Sequence, residues 1–282
     1  MMNWRDSVAL LLRIEGFILR ILPKCIFYCI ATLLGYIWFY IIPIRRLVAL
    51  ENVMRCLNVS ERDARRIVLN SMINIATSFL EFIAQRDVII TYRNYEEFES
   101  IKSEGGVIAT AHTGNWDVLE SVAIREGVRL GVISRKSGID ALNRFLEAIR
   151  KERGETIFQE DTPISQLLRF LRDGGFLGIV IDQNMPPRRG RPATFFSQRV
   201  NTTFAPQIIS IRTGLPILPA FIRRVQRERF EVVFYSPHRP ADDSDRGIEN
   251  SMNYLNNLLM DFIRLYPDQW LWVHKRFKPL RQ

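Results

Sequence analysis

The residues with the most evident chemistry are His112 and Asp117, which stand five positions apart in His112-Thr-Gly-Asn-Trp-Asp117. An imidazole with a pKa near neutrality can take a proton from a hydroxyl group. A neighbouring carboxylate fixes the imidazole tautomer and stabilises the imidazolium that forms. The pair therefore predicts general-base catalysis on a substrate hydroxyl.

The surrounding pattern predicts how the two side chains meet. Residues five apart on one helix point about 140° away from each other, but here a strand-like run (106–111) gives way to a helix-like run (116–125). Asp117 then falls in the first helical turn, which suits the helix dipole. Gly114 predicts the tight turn, and the amides of Gly114 and Asn115 are candidate donors to an oxyanion. A chance His and Asp pair is the alternative.

A second acidic position follows another predicted strand, 176–182, which ends in Asp182-Gln183. Ligands of open α/β sheets gather at the carboxyl ends of the strands. We therefore expect Asp182 beside the His112 turn. The alternative is that Asp182 caps its strand or pairs with an arginine.

These motifs, with the C-terminal Asp268-Gln-Trp-Leu-Trp-Val-His-Lys-Arg-Phe-Lys278, resemble the bacterial lipid A biosynthesis acyltransferases of the lysophospholipid acyltransferase superfamily. The resemblance runs from about residue 47 to the C-terminus, and the hydrophobic N-terminus resembles that family's membrane anchor. One position departs from the pattern, because the lipid A branch commonly has Glu where this chain has Asp117, the usual residue of the superfamily.

The resemblance implies an O-acyltransferase that moves a fatty acyl chain from an acyl thioester to a 3-hydroxyacyl hydroxyl of a lipid A precursor. His112 is the implied base and Asp117 its orienting carboxylate. The resemblance favours acyl carrier protein over coenzyme A as the carrier of the acyl chain, and it implies no metal or organic cofactor. The candidate substrate-binding residues are Asn115, Arg135, Arg150, Asp182, Gln183 and Arg189.

Arg189 belongs to a segment, 186–196, that has three arginines beside two phenylalanines in a run broken by glycine and proline. Arginine suits phosphate groups, so this loop is a candidate clamp for a phosphorylated acceptor that also touches acyl chains. A solvated loop without a ligand is the alternative.

Composition fits a basic, partly membrane-bound enzyme. The 282 residues, 47% of them hydrophobic, suffice for one large catalytic domain, and the net charge of +9 implies an anionic partner. Nucleic acid, an anionic membrane and an acidic carrier protein all qualify. No zinc spacing or aromatic and basic interleaving supports nucleic acid, whereas the resemblance favours an acidic carrier and an anionic glycolipid.

The N-terminus predicts membrane association. Residues 25–44 carry no charge and are flanked by Lys24 and by Arg45 and Arg46, which is long enough to cross a bilayer as a helix. Spanning and lying in the membrane plane stay open, a buried core helix is the alternative, and residues 8–22 predict an amphipathic interfacial helix. We expect a membrane segment at 1–46 and an α/β domain at 47–282. The flanking charges give no orientation, but the resemblance implies the inner membrane, and its cytoplasmic acyl donor implies that the catalytic domain faces the cytoplasm.

Alternating patterns predict an α/β fold with a mixed, largely parallel sheet flanked by helices. The resemblance implies that this fold is like that of glycerol-3-phosphate acyltransferases. Ser60 begins a helix with a capping-box pattern, and a last amphipathic helix carries Met252 and Leu259. The expected strands are 106–111, 129–134, 155–158 and 176–182, the helices 116–125, 140–152 and 163–172, and the antiparallel hairpin 216–224 with 229–236.

Two rival functions remain. One is an acyltransferase of the same superfamily that acts on another glycolipid or on a lysophospholipid, because the dyad specifies chemistry and not the acceptor. The other is a non-enzymatic, basic, nucleic-acid-binding membrane protein, which salt-sensitive binding without acyl transfer would reveal. A serine hydrolase is disfavoured because the chain has no Gly-x-Ser-x-Gly motif.

Overall fold

The computed structural model describes residues 14–134 and 140–278. Helical residues 14–21 form α1. The other elements are α2 Lys24–Tyr36, a π-helical turn Ile37–Ile41, α3 Arg46–Leu57, α4 Glu61–Ala84, β1 Ile89–Arg93, α5 Tyr95–Glu99, β2 Gly106–Thr110, α6 Trp116–Arg125, β3 Leu130–Ser134, α7 Asp140–Glu152, β4 Thr156–Gln159, α8 Ile164–Arg172, β5 Phe176–Val180, β6 Gly190–Phe195, β7 Gln198–Thr203, α9 Ala205–Thr213, β8 Ile217–Gln226, β9 Arg229–Phe234, α10 Asp245–Leu265 and a 3-10 turn Pro267–Gln269.

Seven strands form one sheet in the order β1-β9-β8-β2-β5-β3-β4, and β6 and β7 form a separate hairpin. Only β8 and β9 pair antiparallel within the large sheet. The structure therefore confirms the predicted α/β class with a mixed, largely parallel sheet. Because β2, β3 and β5 are parallel, their carboxyl ends lie at the same edge, and the segments that follow them meet there.

The predicted strands and helices between residues 106 and 180 are present, with ends that differ by at most two residues. The hairpin of β8 and β9 is antiparallel, as expected. The elements that the sequence analysis did not predict include α3, β1, α5, α9 and the hairpin of β6 and β7. The hairpin corrects the expectation of a loop over residues 186–196, because Gly190–Phe195 is a strand paired with Gln198–Thr203.

The sheet opens at its carboxyl edge between β3 and β5. These strands pair only from Leu130 with Phe176 to Val132 with Gly178. Beyond that point β3 continues along β4 to Ser134, and β5 continues along β2 to Val180. The two strands therefore diverge and leave a gap beside the site.

Helix α4 joins the N-terminal helices to the sheet. It begins at Ser60, whose hydroxyl accepts a hydrogen bond from the Asp63 amide, as its capping pattern predicts. Helix α2 packs against it so closely that a Cβ at Gly35 would lie 2.7 Å from the Cα of Ile73. Helix α4 and the segment Lys24–Ile41 are both long and apolar enough to cross a membrane, but 67% of the first and 28% of the second is buried in the protein.

Candidate active site

The turn between β2 and α6 is pinned on several sides. Gly114 has φ of +53°, and a Cβ there would lie 2.5 Å from the carbonyl oxygen of Ile222, so only glycine fits. Its carbonyl accepts hydrogen bonds from Asn74 Nδ2 at 2.8 Å and Ser78 Oγ at 3.1 Å. Its amide donates to the Gln269 carbonyl at 2.8 Å. The Gly114 amide is thereby occupied, so it is not the free oxyanion donor that the sequence suggested.

His112 is held by Asp182, which follows β5. Asp182 Oδ1 lies 2.8 Å from His112 Nδ1, while Oδ2 accepts from the His112 backbone amide at 3.0 Å and from Trp270 Nε1 at 2.9 Å. An ionised carboxylate only accepts, so Nδ1 carries the proton and Nε2 presents a lone pair. This nitrogen is 3.4 Å from Gln183 Nε2.

The charges around His112 favour its imidazolium. Burial alone would lower the pKa of His112, but the Asp182 carboxylate, its hydrogen bond and the charge of Asp117 outweigh burial and raise this pKa. Burial opposes the ionised form of Asp182 too, yet His112 and Trp270 hold the Asp182 pKa below its usual range. The site thus holds a base that is readily protonated beside a fixed negative charge.

Asp117 contacts Arg150 and not the ring of His112, which the spacing had suggested as its partner. Its Oδ1 accepts a hydrogen bond from Arg150 Nη2 at 3.3 Å, and the hydrogen-bonded carboxylate of His112 is Asp182. This corrects the expectation that Asp117 fixes the His112 tautomer. In the first turn of α6 the Asp117 side chain faces α7, while Asp182 approaches from the neighbouring strand. Asp117 acts on His112 through its charge.

Arg150 is shared by a cluster of carboxyl groups. Its Nε lies 3.4 Å from Glu120 Oε2 and 3.9 Å from Glu155 Oε2, in addition to the contact with Asp117. Burial raises the pKa of Glu120 well above its usual range and also raises the pKa of Glu155 and of Asp117, although Arg150 counteracts burial at all three. One guanidinium cannot neutralise three carboxylates, so these carboxyl groups keep their protons to a higher pH than usual.

A cavity of about 450 Å³ lies at the gap between β3 and β5, and two of the residues that line it, Trp116 and Gln183, are neighbours of His112. Gln183, and Trp116 whose ring centre is 4.9 Å from that of His112, lie on its wall. The apolar wall comprises Ile108, Leu119, Leu130, Val132, Ile133, Ile164, Leu167, Ile179, Val180, Met185, Phe204, Ala205, Ile208 and Ile209, and the polar and charged residues are Thr110, Glu120, Glu160, Arg188, Arg189 and Thr203. An apolar cavity next to a general base suits a hydrocarbon chain that ends in a reactive group.

A sequence model of the family described as bacterial lipid A biosynthesis acyltransferase matches residues 5–279 of the chain. The chain belongs to this family. It is therefore an acyltransferase of the lipid A type at the level of the family. Among curated protein sequences, none is significantly similar to it. Membership of the family and the two apolar helices together support membrane association of this acyltransferase.

The remaining expected site residues of this acyltransferase are dispersed. Arg189 lines the cavity and pairs with Glu160 at 2.8 Å. Asn115 is buried at 1% exposure, its Nδ2 donates to Glu81 at 2.8 Å, and it is not among the residues that line the cavity. Arg135 lies outside the described residues.

The two phenylalanines of the segment 186–196 do not line the cavity. Phe195 and Phe196 are buried in the core, and the Phe195 ring packs against Trp270. Arg188 is the other arginine of that segment on the cavity wall, and Arg191 instead pairs with Asp245. The expectation that this segment contacts both phosphate and acyl chains is therefore wrong for the phenylalanines. Only Arg188 and Arg189 of the segment's arginines and phenylalanines line the cavity.

Sequence reasoning missed the role of the C-terminal block. Trp270 binds Asp182, and His274 Nε2 accepts from the Asn184 amide at 2.9 Å. Arg276 is fully buried and donates to the carbonyl of Gln183. Burial lowers the pKa of Arg276 to about 10 against the opposing charge of Asp182. The density of aromatic and basic residues was the available signal, but their targets lie about 90 positions earlier in the chain.

Within residues 14–134 and 140–278, no group of three or more His, Cys, Asp or Glu side chains is arranged to hold a metal ion.

Proposed function

We propose that this lipid A acyltransferase moves a fatty acyl chain from acyl carrier protein to the hydroxyl of a 3-hydroxyacyl chain on a lipid A precursor. One observation carries the proposal: His112 Nε2, the ring nitrogen that faces away from Asp182, lies 3.4 Å from Gln183, which lines the apolar cavity together with Trp116. A base beside a hydrocarbon-sized apolar cavity suits a hydroxyl nucleophile and a fatty acyl donor.

The reaction follows from this arrangement. His112 Nε2 takes the hydroxyl proton while the oxygen forms a bond to the thioester carbon, which gives a tetrahedral oxyanion. Collapse of the oxyanion breaks the bond between carbon and sulfur. The departing thiolate takes the proton from the His112 imidazolium, so the base is regenerated and an ester and a thiol leave the site. No covalent enzyme intermediate is required.

The neighbouring groups divide the supporting roles. Asp182 fixes the tautomer of His112, and the charge of Asp117, held by Arg150, adds to the stabilisation of the imidazolium. The Gln183 side-chain amide, 3.4 Å from Nε2, is the proposed donor to the oxyanion, since the Gly114 amide is already occupied.

The charge of the protein supports the proposed partners. A net charge of +9 favours association with an acidic carrier protein and with an anionic glycolipid. Arg188 and Arg189 on the cavity wall are the proposed contacts with acidic groups of the acceptor. From membership of the family we expect an acyl thioester as the donor and no metal or organic cofactor. A cytoplasmic carrier implies a catalytic domain on the cytoplasmic side of the inner membrane.

We propose that the N-terminal helices lie in the membrane plane. Helix α2 is tied to α4, and α4 in turn binds the catalytic turn, so neither helix is free to cross the bilayer separately. Exposed apolar side chains remain available for lipid: Phe17, Ile18, Ile21, Ile26, Leu33, Leu34, Tyr40, Ile41, Ile42, Ile44 and Leu47. Replacing Leu33 and Leu34 with Ser should weaken co-flotation with anionic vesicles, and unchanged flotation would contradict the proposal.

The function is tested by mass spectrometry of acyl transfer. Detergent-purified wild type, His112→Ala and His238→Ala are incubated with a mixed-chain acyl carrier protein pool and a tetra-acylated, Kdo-bearing lipid A precursor. His238 is the matched control, because it bonds to Ser251 away from the site. We expect one acyl mass increment with wild type and His238→Ala and none with His112→Ala.

Two results would overturn parts of the proposal. Activity retained by folded His112→Ala would exclude the mechanism. No increment with folded wild type from either acyl carrier protein or acyl-coenzyme A donors would exclude this acceptor and would favour another glycolipid or a lysophospholipid. Repeating the assay with acyl-coenzyme A separates the two donors.

A further inference from the structure

Glu81 is a buried carboxylate that the proposed mechanism does not use. It lies on α4 with 4% exposure, and its two oxygens accept four hydrogen bonds. Oε1 accepts from Tyr28 Oη at 3.0 Å and Arg224 Nη1 at 2.6 Å, and Oε2 accepts from Asn115 Nδ2 at 2.8 Å and Arg224 Nη2 at 2.9 Å. Both oxygens are thus satisfied, which makes the group rigid.

One arm of this cluster holds the catalytic turn. Asn115 stands three positions after His112 and directly before α6. Arg224 also donates to Asn74 Oδ1 at 3.0 Å and to Ser78 Oγ at 3.1 Å, the two side chains that bind the Gly114 carbonyl. The turn is therefore fixed on α4 through Glu81 and through the residues that Arg224 orients.

The other arm reaches the apolar N-terminal helix. Tyr28 is 6% exposed on α2, and its hydroxyl bonds to Glu81 across 53 positions of sequence. The neighbouring Phe27 is fully buried, and Gly35 allows the close contact of α2 with Ile73. The same helix exposes Leu33 and Leu34 on its outer side. Tyr28 thus connects a lipid-facing helix to a carboxylate that binds the catalytic turn.

We propose that Glu81 is a positioning residue that couples the docking of α2 on α4 to the geometry of the turn that carries His112. Acyl transfer then depends on the docking of α2 on α4, and the hydrogen bond from Tyr28 to Glu81 couples this docking to the catalytic turn. The inference rests on the proposed acyl-transfer function for its kinetic readout, but its structural readout is independent of any activity.

The structural test is hydrogen exchange of peptides that cover residues 111–118, measured by mass spectrometry on the full chain in detergent. Tyr28→Phe removes one hydroxyl and should accelerate exchange there by about threefold to tenfold, as expected for one lost hydrogen bond. Tyr95→Phe is the matched control, because it removes a tyrosine hydroxyl bonded to a glutamate, Glu126, outside this cluster. Equal exchange in wild type and both variants would overturn the proposal.

The kinetic test separates positioning from a loss of folded protein. Tyr28→Phe should lower kcat per folded molecule by about threefold to tenfold and leave KM for donor and acceptor unchanged. In a Glu81→Gln background the same substitution should change kcat by less than about twofold, because the contact partner is already altered. Additive effects in the two variants, or an effect on melting temperature alone, would contradict coupling through Glu81.

Gly35→Leu tests the dependence on helix docking without touching the cluster. A side chain there meets Ile73, so α2 cannot seat. Exchange at residues 111–118 should increase as in Tyr28→Phe, and unchanged exchange with a displaced helix would overturn the proposal. Wild type that transfers no acyl group would contradict the proposed function, whereas the exchange results would still decide the coupling.

Discussion

Asp182 binds His112 at two points, with one oxygen on Nδ1 at 2.8 Å and the other on the backbone amide at 3.0 Å. Trp270 holds the second oxygen from the other side. The carboxylate therefore fixes the ring and the backbone of His112 together. The position of the imidazole then depends on β5 and on the C-terminal block as well as on its own turn.

Replacing Asp182 with Asn should lower kcat by about 10²-fold to 10⁴-fold, since the amide favours the wrong tautomer of His112. The carboxylate raises the pKa of His112, so wild-type kcat/KM should increase with pH through a value above 6.5, and this limb should move to lower pH in the variant. pH profiles of kcat/KM check both effects. Asp173→Asn, at the exposed end of α8, is the control, and an unchanged limb in Asp182→Asn would contradict the assignment.

Replacing Glu155 with Gln should stabilise the protein at pH 8. Burial raises the pKa of Glu155 in the folded state, so the folded protein binds more protons than the unfolded chain, and the free energy of unfolding decreases as pH rises above about 4. Removing this carboxyl group should raise Tm by about 2–4 °C at pH 8, with a smaller gain at pH 5. Thermal unfolding at both pH values checks the sign.

Arg150→Met should have the opposite effect. It leaves Asp117, Glu120 and Glu155 without their shared cation and should cost about 3–5 kcal/mol near neutral pH. The cost should be smaller at pH 5, where the carboxyl groups are protonated more readily. Denaturant unfolding measures both values, and a cost independent of pH would mean that Arg150 contributes packing alone.

Gly178 should set the length of the transferred chain. A Cβ added at Gly178 would lie 3.8 Å from Val132, an ordinary van der Waals distance, so Gly178→Ala fits. The longer side chain of Gly178→Leu enters the cavity at the gap between β3 and β5. Each methylene that no longer fits should reduce transfer by about 10-fold to 200-fold. Mass spectrometry of products from a mixed-chain donor pool should give shorter chains for Leu and wild-type chains for Ala. Identical products for all three proteins would contradict this role.

His274 should make the fold sensitive to acid. It accepts a hydrogen bond from the Asn184 amide, and burial lowers its pKa to about 4. The unfolded chain, with a histidine pKa of about 6.5, binds more protons between these values, so stability decreases as pH falls from 6.5 to 4. His274→Gln keeps an acceptor and should lose less stability than wild type between pH 7 and pH 5. Parallel unfolding curves in that range would disprove the contribution.

Local sequence determined the scaffold. Hydrophobic periodicity predicts strand 106–110 and helix 116–125, and Gly114 predicts the turn between them. Ser60 predicts the capped start of α4. These signals act within a few residues of the chain. The alternation of strands and helices also determined the carboxyl edge where Asp182 meets His112, because parallel strands must end on the same side. The elements that were missed, such as β1 and α9, are short.

Tertiary packing determined the partners within the site. The spacing of His112 and Asp117 suggested a hydrogen bond between them, but the sheet brings Asp182 to His112 from 70 positions away, and α7 brings Arg150 to Asp117 from 33 positions away. The link from Tyr28 through Glu81 to Asn115 likewise joins three separate elements. Such contacts depend on which face of each helix packs against the sheet. Burial of the whole apolar core determines this packing, so no local pattern in the sequence predicts it.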